Sequence, residues 1–553
     1  MRGPLVTRAV LLAASLFGVA ASSPPASGLD APASPAPRLV LVLSIDQMRY
    51  DYLVRFAALF KGGLKTLLGE GAVFTNARYR HACTETGPGH SVILSGRSPN
   101  HSGIVANRWY DALSRTSVNV VDDPVQAPVG GEGRGASPTN FIGFTLGDVL
   151  KKVSPASRVV GVSLKDRAAI LMAGRRADGA YWYETPGGRF ITSTYYMRQA
   201  PAWLEAWNAK HLPDGYAGRP WTRLLSDVAL YERYAGPDAV DGEFDRKDTV
   251  FPHAIRGTPP SRDYYDNLRR TPAADEIVLD AALAAMNAHA LGRRDATDLL
   301  AVGFSGTDFI GHTYGPDSQE LMDQILRLDV LLGQLFHEVD RRVGAGRTLV
   351  VLTADHGVMP LVEVLKKKGI NARRATPAEL RAPVDEALAR RFPGAKGVVA
   401  YYDAPHFYLD VEALTSEHIA EEDVEATIAA ALKSTGLVEA VYTRRQMLGE
   451  SPAEGAAVDL FRSAFFEPRS PQILVETRPY VYLADYPGGT GHGTPHDYDR
   501  HVPIVFRGVG VKPGKYEEEC GPEDIAATLG RLIGVDYPMQ DARRVLSEML
   551  LRP

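Results

Sequence analysis

The sequence predicts a doubly wound α/β fold, mostly parallel in its central sheet, with capping insertions. Three observations predict it: short β-favouring apolar runs recur along the chain, helical patterns lie between them, and acids or histidines directly follow several of the runs. At 553 residues the chain is too long for one simple core and long enough for one large α/β domain with insertions. Hydrophobic content of 45% and charged content of 23% are those of a soluble globular protein. The formal net charge of −5 supplies no overall basic field, which excludes a protein that coats nucleic acid.

The first run, residues 39–46, reads Leu-Val-Leu-Val-Leu-Ser-Ile-Asp. It is apolar on both faces, as a central parallel strand must be, and stops at Asp46. Comparable runs recur at 158–163, 299–304, 348–352 and 503–506. Between them, residues 276–286 place Leu279, Leu283 and Met286 at helical spacing, and residues 318–336 do the same with Leu321, Ile325, Leu328, Leu332 and Leu335. Asp46, Asp308 and the pair Asp355-His356 each follow a strand end. In open α/β sheets that edge binds ligands, so the pattern gathers distant residues into one place.

At the N-terminus, Arg2 and Arg8 form a charged start ahead of the apolar stretch Ala9–Ala20, and small residues around Ala20-Ala21-Ser22 would accept a peptidase. Residues 1–21 therefore read as a signal peptide, and the Pro/Ala/Ser-rich residues 22–37 as a flexible leader. No later run reaches the roughly 18 apolar residues a membrane span needs. The mature chain is expected to be periplasmic or secreted, without stable membrane insertion, and a monomer. The core is expected in three parts, 38–168, 276–372 and 482–553. The aromatic-rich segment 169–275, with Tyr181-Trp182-Tyr183, and the segment 373–481 read as insertions capping the sheet edge. Two cysteines, Cys83 and Cys520, exclude a disulfide framework and leave a single bridge open.

The chemistry centres on residues 84–90, Thr-Glu-Thr-Gly-Pro-Gly-His. Thr86 precedes a glycine turn and then Val92-Ile93-Leu94, so its hydroxyl sits where a loop enters a helix. Unpaired N–H groups make that position electropositive, and a hydroxyl there could attack phosphorus. An ordinary capping threonine is the alternative reading. Asp308 and His312, four residues apart, share one helical face, a pairing that alone also fits a surface hydrogen bond. Asp355-His356 at a buried strand end needs a partner. His492, in Gly-His-Gly-Thr-Pro, has flanking glycines that let it approach one; His496 and His501 are nearby competitors.

With Asp46, these residues make a mixed N/O donor set suited to zinc, too large for one tetrahedral ion and suited to two. Paired ions stabilise the entering and leaving oxygens of a phosphoryl displacement. Asn107 offers an amide, and Lys165 and Arg167 offer cations just beyond the 158–163 run; Arg can grip two phosphate oxygens at once.

These pieces, in this order from residue 46 to residue 492, resemble the alkaline phosphatase superfamily. They are most similar to its bacterial, periplasmic, zinc-dependent PafA-like branch, which uses a threonine nucleophile. The matching residues are Asp46 in Ser-Ile-Asp-Gln-Met-Arg-Tyr-Asp, Thr86 in Thr-Gly-Pro-Gly-His, Asn107 in Asn-Arg-Trp-Tyr, Lys165 with Arg167, Asp308 with His312, Asp355 with His356 in Ala-Asp-His-Gly, and His492. The resemblance implies two zinc ions per chain, one held by Asp46, Thr86, Asp355 and His356, the other by Asp308, His312 and His492. It further implies that Asn107, Lys165 and Arg167 contact phosphoryl oxygens, a Lys/Arg pair being typical of monoesterases. The expected activity is hydrolysis of a broad range of small phosphate monoesters through a phosphothreonine intermediate, with no nucleic-acid binding beyond nucleotide substrates. The alternative is a phosphodiesterase or nucleotide pyrophosphatase of the same superfamily. A sulfatase is disfavoured because Cys83-Thr-Glu-Thr-Gly lacks the Pro and Arg of a formylglycine-forming motif, and a silent zinc- or phosphate-binding protein because every ligand and the nucleophile are present. Whether Cys83 or Glu85 faces the site is left open.

Overall fold

The run at 39–46 forms the strand Leu39–Ile45, buried along its whole length near the middle of a ten-stranded sheet. The computed structural model describes residues 36–244 and 247–551. The expected signal peptide and most of the leader lie outside the described residues. From one edge the strands run Gly514–Tyr516, Ala72–Phe74, Ile504–Gly508, Thr348–Thr353, Leu39–Ile45, Asp298–Phe304, Val159–Ser163, Gly179–Glu184, Arg189–Ser193 and Pro128–Val129. The five from Thr348–Thr353 to Gly179–Glu184 are mutually parallel. The expected α/β class is borne out, with a parallel centre and antiparallel margins.

Alternation along Leu39–Ile45 divides its side chains between two cores. Leu41 and Leu43 enter one with Leu321, Ile325 and Leu328 of the 25-residue helix Gln319–Val343. Val40 and Val42 enter the other with Leu150 of helix Leu146–Val153 and Leu529 of helix Ile525–Ile533. Each such side chain contributes about 1.5–3 kcal/mol by leaving water, so Leu41→Ala would damage the sheet at its centre. The long helix starts where the Ser318 hydroxyl accepts the Leu321 N–H and stops at Gly344, whose φ of 100° only glycine takes readily.

Two features differ from the sequence reading. The run at 503–506 becomes Ile504–Gly508, antiparallel to Thr348–Thr353, because the chain enters it from the ligand edge after passing His492. The sheet also continues into the segment 169–275. Tyr181, Trp182 and Tyr183 lie in the buried strand Gly179–Glu184, paired in parallel with Val159–Ser163, while Trp207, Tyr231 and Tyr264 farther along pack into the first core. The segment 373–481 carries a four-stranded antiparallel sheet and the helices Pro377–Arg391 and Glu421–Ser434, with its own apolar core of residues such as Leu380, Phe407, Ile428 and Val475. No helix among the described residues is long and apolar enough to cross a membrane.

Candidate active site

Four adjacent parallel strands finish level with one another: Ser44 is in register with Thr353, Ile45 with Phe304, and Ser163 with Gly303. Asp46, Asp355-His356 and Lys165 therefore emerge side by side. Asp298–Phe304 leads into helix Gly306–Tyr314, whose 3.6-residue period turns Asp308 and His312 the same way. The His312 Nε2 lies 3.1 Å from Asp308 Oδ1.

Thr86 is the first residue of helix Thr86–Ile93, not its cap; the extended Glu85 occupies the cap position without a side-chain capping bond. The Thr86 hydroxyl is thereby released from capping. Lys165 Nζ and Arg167 Nη2 donate to its Oγ1 at 3.3 and 3.4 Å. The helix can lie this close because of Gly89: a Cβ there would meet the Asp355 carbonyl oxygen at 2.1 Å. Asn107 is held by its Oδ1, which accepts the Gly87 N–H at 2.7 Å, and this leaves its NH₂ as the available donor.

The three histidines are oriented alike. His312 Nδ1 donates to Thr490 O at 2.7 Å, His356 Nδ1 to Gly357 O at 2.9 Å, and His492 Nδ1 to Thr84 O at 2.8 Å. With each Nδ1 committed to a carbonyl, each Nε2 is left facing the carboxylates, the orientation found in metal-binding imidazoles. The competitors are turned elsewhere: the Nε2 of His496 bonds Thr477 O, and that of His501 bonds Thr75 O.

Charge decides what this cluster can hold. Asp46, Asp308 and Asp355 are buried together, and Lys165 Nζ lies 2.6 Å from both Asp46 and Asp308. Burial, followed by the Asp355 charge, pushes Asp46 up to about 6. Burial acts the same way on Asp308, but Lys165 and His312 outweigh it and hold that carboxyl well below the usual range. Burial would lower the Lys165 ammonium, yet Asp308 and Asp46 raise it. Burial pulls His356 down to about 4 and, with the neighbouring His356 and His312, pulls His492 well below its ordinary value, so both rings are neutral near pH 7. Burial would lower His312 as well, but Asp308 raises it. Three buried carboxylates thus face one ammonium, this ring and two neutral imidazoles.

Asp46 Oδ1, Asp355 Oδ2 and His356 Nε2 are buried without a hydrogen bond, although His356 Nε2 lies 3.5 Å from the first and 3.3 Å from the second. Such donor atoms fit divalent cations. Two sets converge closely enough: Asp46 with Asp355 and His356, and Asp308 with His356 and His492. His356 joins both, its ring stacked on His492 at 3.5 Å between centroids, and His312 reaches the second set through Asp308.

The profile of the type I phosphodiesterase/nucleotide pyrophosphatase family matches residues 40–500. The chain belongs to that family. Within this phosphodiesterase/pyrophosphatase family it is 33% identical over 520 residues to alkaline phosphatase PhoV of Synechococcus elongatus, spanning 93% of each chain. It is 32% identical over 531 residues to alkaline phosphatase PafA of Elizabethkingia meningoseptica, spanning 94% of this chain and 96% of that one. The crystal structure of wild-type PafA superposes with a TM-score of 0.87 at 32% identity, covering 94% of this chain and 100% of the other. The resemblance read from the motifs is thus borne out.

Within this family member, sequence reasoning missed Gln47. Its backbone N–H donates to Asp355 Oδ1 at 3.1 Å and its side-chain amide to Asp308 Oδ1 at 2.8 Å, so one residue ties together an aspartate from each donor set. It does so at φ 67°, and Gly311 must lack a Cβ to admit its side chain, since a Cβ there would lie 1.9 Å from Gln47 Oε1. The only signal in the sequence was a polar residue immediately after Asp46. His90, four residues after Thr86, was also passed over; its Nδ1 lies 2.9 Å from Thr86 O and 3.2 Å from Asp355 Oδ2. The role of Glu85 is partly answered: its Oε2 accepts the Asn107 N–H at 2.7 Å. Cys83 and Cys520 are both free thiols.

Proposed function

We propose that the protein is a zinc-dependent alkaline phosphatase that hydrolyses small phosphate monoesters through a phosphothreonine intermediate. The observation that carries this reading is the Thr86 hydroxyl, uncommitted to capping, at a helix N-terminus and within reach of Lys165 and Arg167 beside the buried carboxylate–imidazole cluster. The mixed carboxylate and imidazole donors favour zinc. Asp46, Thr86, Asp355 and His356 would hold one ion and Asp308, His312 and His492 the other. When bound, the ions supply Lewis-acid stabilisation of charge on the entering and leaving oxygens.

The chain's own groups do the rest. Lys165 and Arg167 favour the ionised form of Thr86 and, with the Asn107 NH₂, bind the non-bridging phosphoryl oxygens. Thr86 Oγ1 gives its proton to solvent water and forms a bond to phosphorus as the ester P–O bond breaks; the departing alkoxide takes a proton from water. A water then adds to phosphorus while the Thr86 Oγ1–P bond breaks; the displaced Thr86 oxygen takes up a proton, the attacking water gives one up, and inorganic phosphate is released. Hydrolysis of p-nitrophenyl phosphate before and after chelation tests the reading. Loss of turnover on chelation and its return with zinc are expected; full activity in metal-free protein would refute it.

The matched family's name favours a second reading, a phosphodiesterase. Against it stands the Lys165/Arg167 pair, which suits the additional charge of a monoester. The ratio of kcat/KM for a monoester to that for its methyl diester discriminates between them. We further propose that the mature chain is periplasmic or secreted and monomeric, its sheet extended by the segment 169–275 and capped by the segment 373–481.

A further inference from the structure

Beside His492 a cavity of about 190 Å³ opens under the four-stranded sheet. Its walls mix polar and apolar surface, with Val105, Phe461, Leu474 and Val475 among the apolar residues, and the exposed Asp403 and Ala404 of the hairpin turn at residues 403–406 are part of its lining. Glu85, directly before Thr86, and His492 of the donor cluster both line it, so the space adjoins the loop that carries Thr86. A cavity of about 150 Å³ accepts a benzene ring, so a single-ring group fits here.

The lining contains no lysine or arginine, and its acids are Glu85 and Asp403. His406 adds no positive charge, because its Nδ1 accepts the Val475 N–H at 3.0 Å and burial lowers its pKa to about 4. The cations acting on the two acids stand outside the cavity: Arg108, exposed, acts on Asp403, and Arg167, at the nucleophile, acts on Glu85.

Resting on the phosphatase reading, we infer that this cavity is the leaving-group subsite and that Asp403 in its lining makes it select leaving groups that are neutral or cationic over anionic ones. A leaving group with a second negative charge meets repulsion from Asp403, and an ammonium in the same place is attracted.

The experiment compares three phenyl phosphates with the zinc-loaded enzyme, differing only at the meta position: hydrogen, aminomethyl and carboxyl. The readout is the ratio of kcat/KM for the aminomethyl ester to that for the carboxyl ester. Parent enzyme should favour the aminomethyl ester. Asp403→Asn should reduce the ratio about three- to tenfold, the size of one charge–charge interaction across roughly 6 Å of partly aqueous cleft, and Asp403→Lys should reduce it further. Asp403 is exposed, so neither change disturbs the core. Asp295→Lys, at the opposite end of the sheet, controls for net charge. A ratio near one in the parent, a ratio unmoved by both Asp403 variants, or an equal shift in Asp295→Lys would overturn the subsite while leaving the phosphatase reading standing. No turnover of any of the three esters would overturn both.

Discussion

Replacing Gln47 by methionine keeps the length of the side chain and removes its amide. The backbone N–H to Asp355 remains, while the 2.8 Å bond to Asp308 Oδ1 is lost. The φ of 67° is unchanged, because glutamine and methionine bear the same strain there. A hydrogen bond to a charged acceptor contributes about 1.5–3 kcal/mol, which corresponds to roughly 10–150-fold in an equilibrium constant. That loss should fall on one ion alone, because Gln47 orients Asp308 through its side chain and Asp355 through its backbone. Zinc titration against a chromophoric chelator should therefore show two sites in the parent. In Gln47→Met one site should weaken about 10- to 100-fold, as when an outer hydrogen bond to a ligand is removed, while the other stays the same. Thermal melting of the metal-free protein separates this from misfolding and should move little. Unchanged affinity at both sites, or equal weakening of both in a normally melting variant, would refute the reasoning.

Thr86→Ala should abolish the phosphoenzyme, seen as absence of acid-stable label from a ³²P-labelled monoester, while zinc is still bound through the remaining donors. Lys165→Ala should lower kcat/KM for a monoester by about 10²–10³-fold, the cost typical of removing a donor to developing charge, and should harm a methyl diester less. Gly89→Ala drives a Cβ to within 2.1 Å of the Asp355 carbonyl and should cost about 1–3 kcal/mol or more, read as a lower Tm together with weakened zinc binding. Burial raises Asp275 from its ordinary 3.8 to about 7 against the hydrogen bonds from Gly306 N–H and Gln324 that favour its charged form. The folded state then holds a proton that the unfolded state has released, so this residue's contribution to stability declines as pH rises from about 4 to about 7. Asp275→Asn should flatten that part of the stability–pH curve in chemical denaturation.

What the sequence made legible followed from strong local physics. The 39–46 run could only be a strand buried on both faces, and its terminal Asp46 stands where such a strand meets ligands. The i, i+4 spacing of Asp308 and His312 did fall on a helix. Less legible were choices made by tertiary partners. Tyr181-Trp182-Tyr183 reads from its composition as cap packing, and only pairing with the neighbouring Val159–Ser163 makes it a strand. The direction of Ile504–Gly508 depends on where the chain last left the sheet, which an apolar run does not encode. Gln47 lay hidden because a left-handed glutamine bridging two acids has no local signature. The hydroxyl of Thr86 was freed by a different residue taking the cap position, which its own neighbours did not announce.

The bond from His492 Nδ1 to the Thr84 carbonyl joins residues 408 positions apart, and the Thr84 hydroxyl adds a second tie to the Thr494 carbonyl at 2.8 Å. The loop that leads into Thr86 is therefore fastened to a segment more than 400 residues later in the chain. As synthesis proceeds from the N-terminus, Asp46, Thr86 and Lys165 are present long before His492 is, and the centre stays unfinished until that last strap arrives. A chain that has not yet reached residue 492 therefore holds Thr86 without the full set of donors around it.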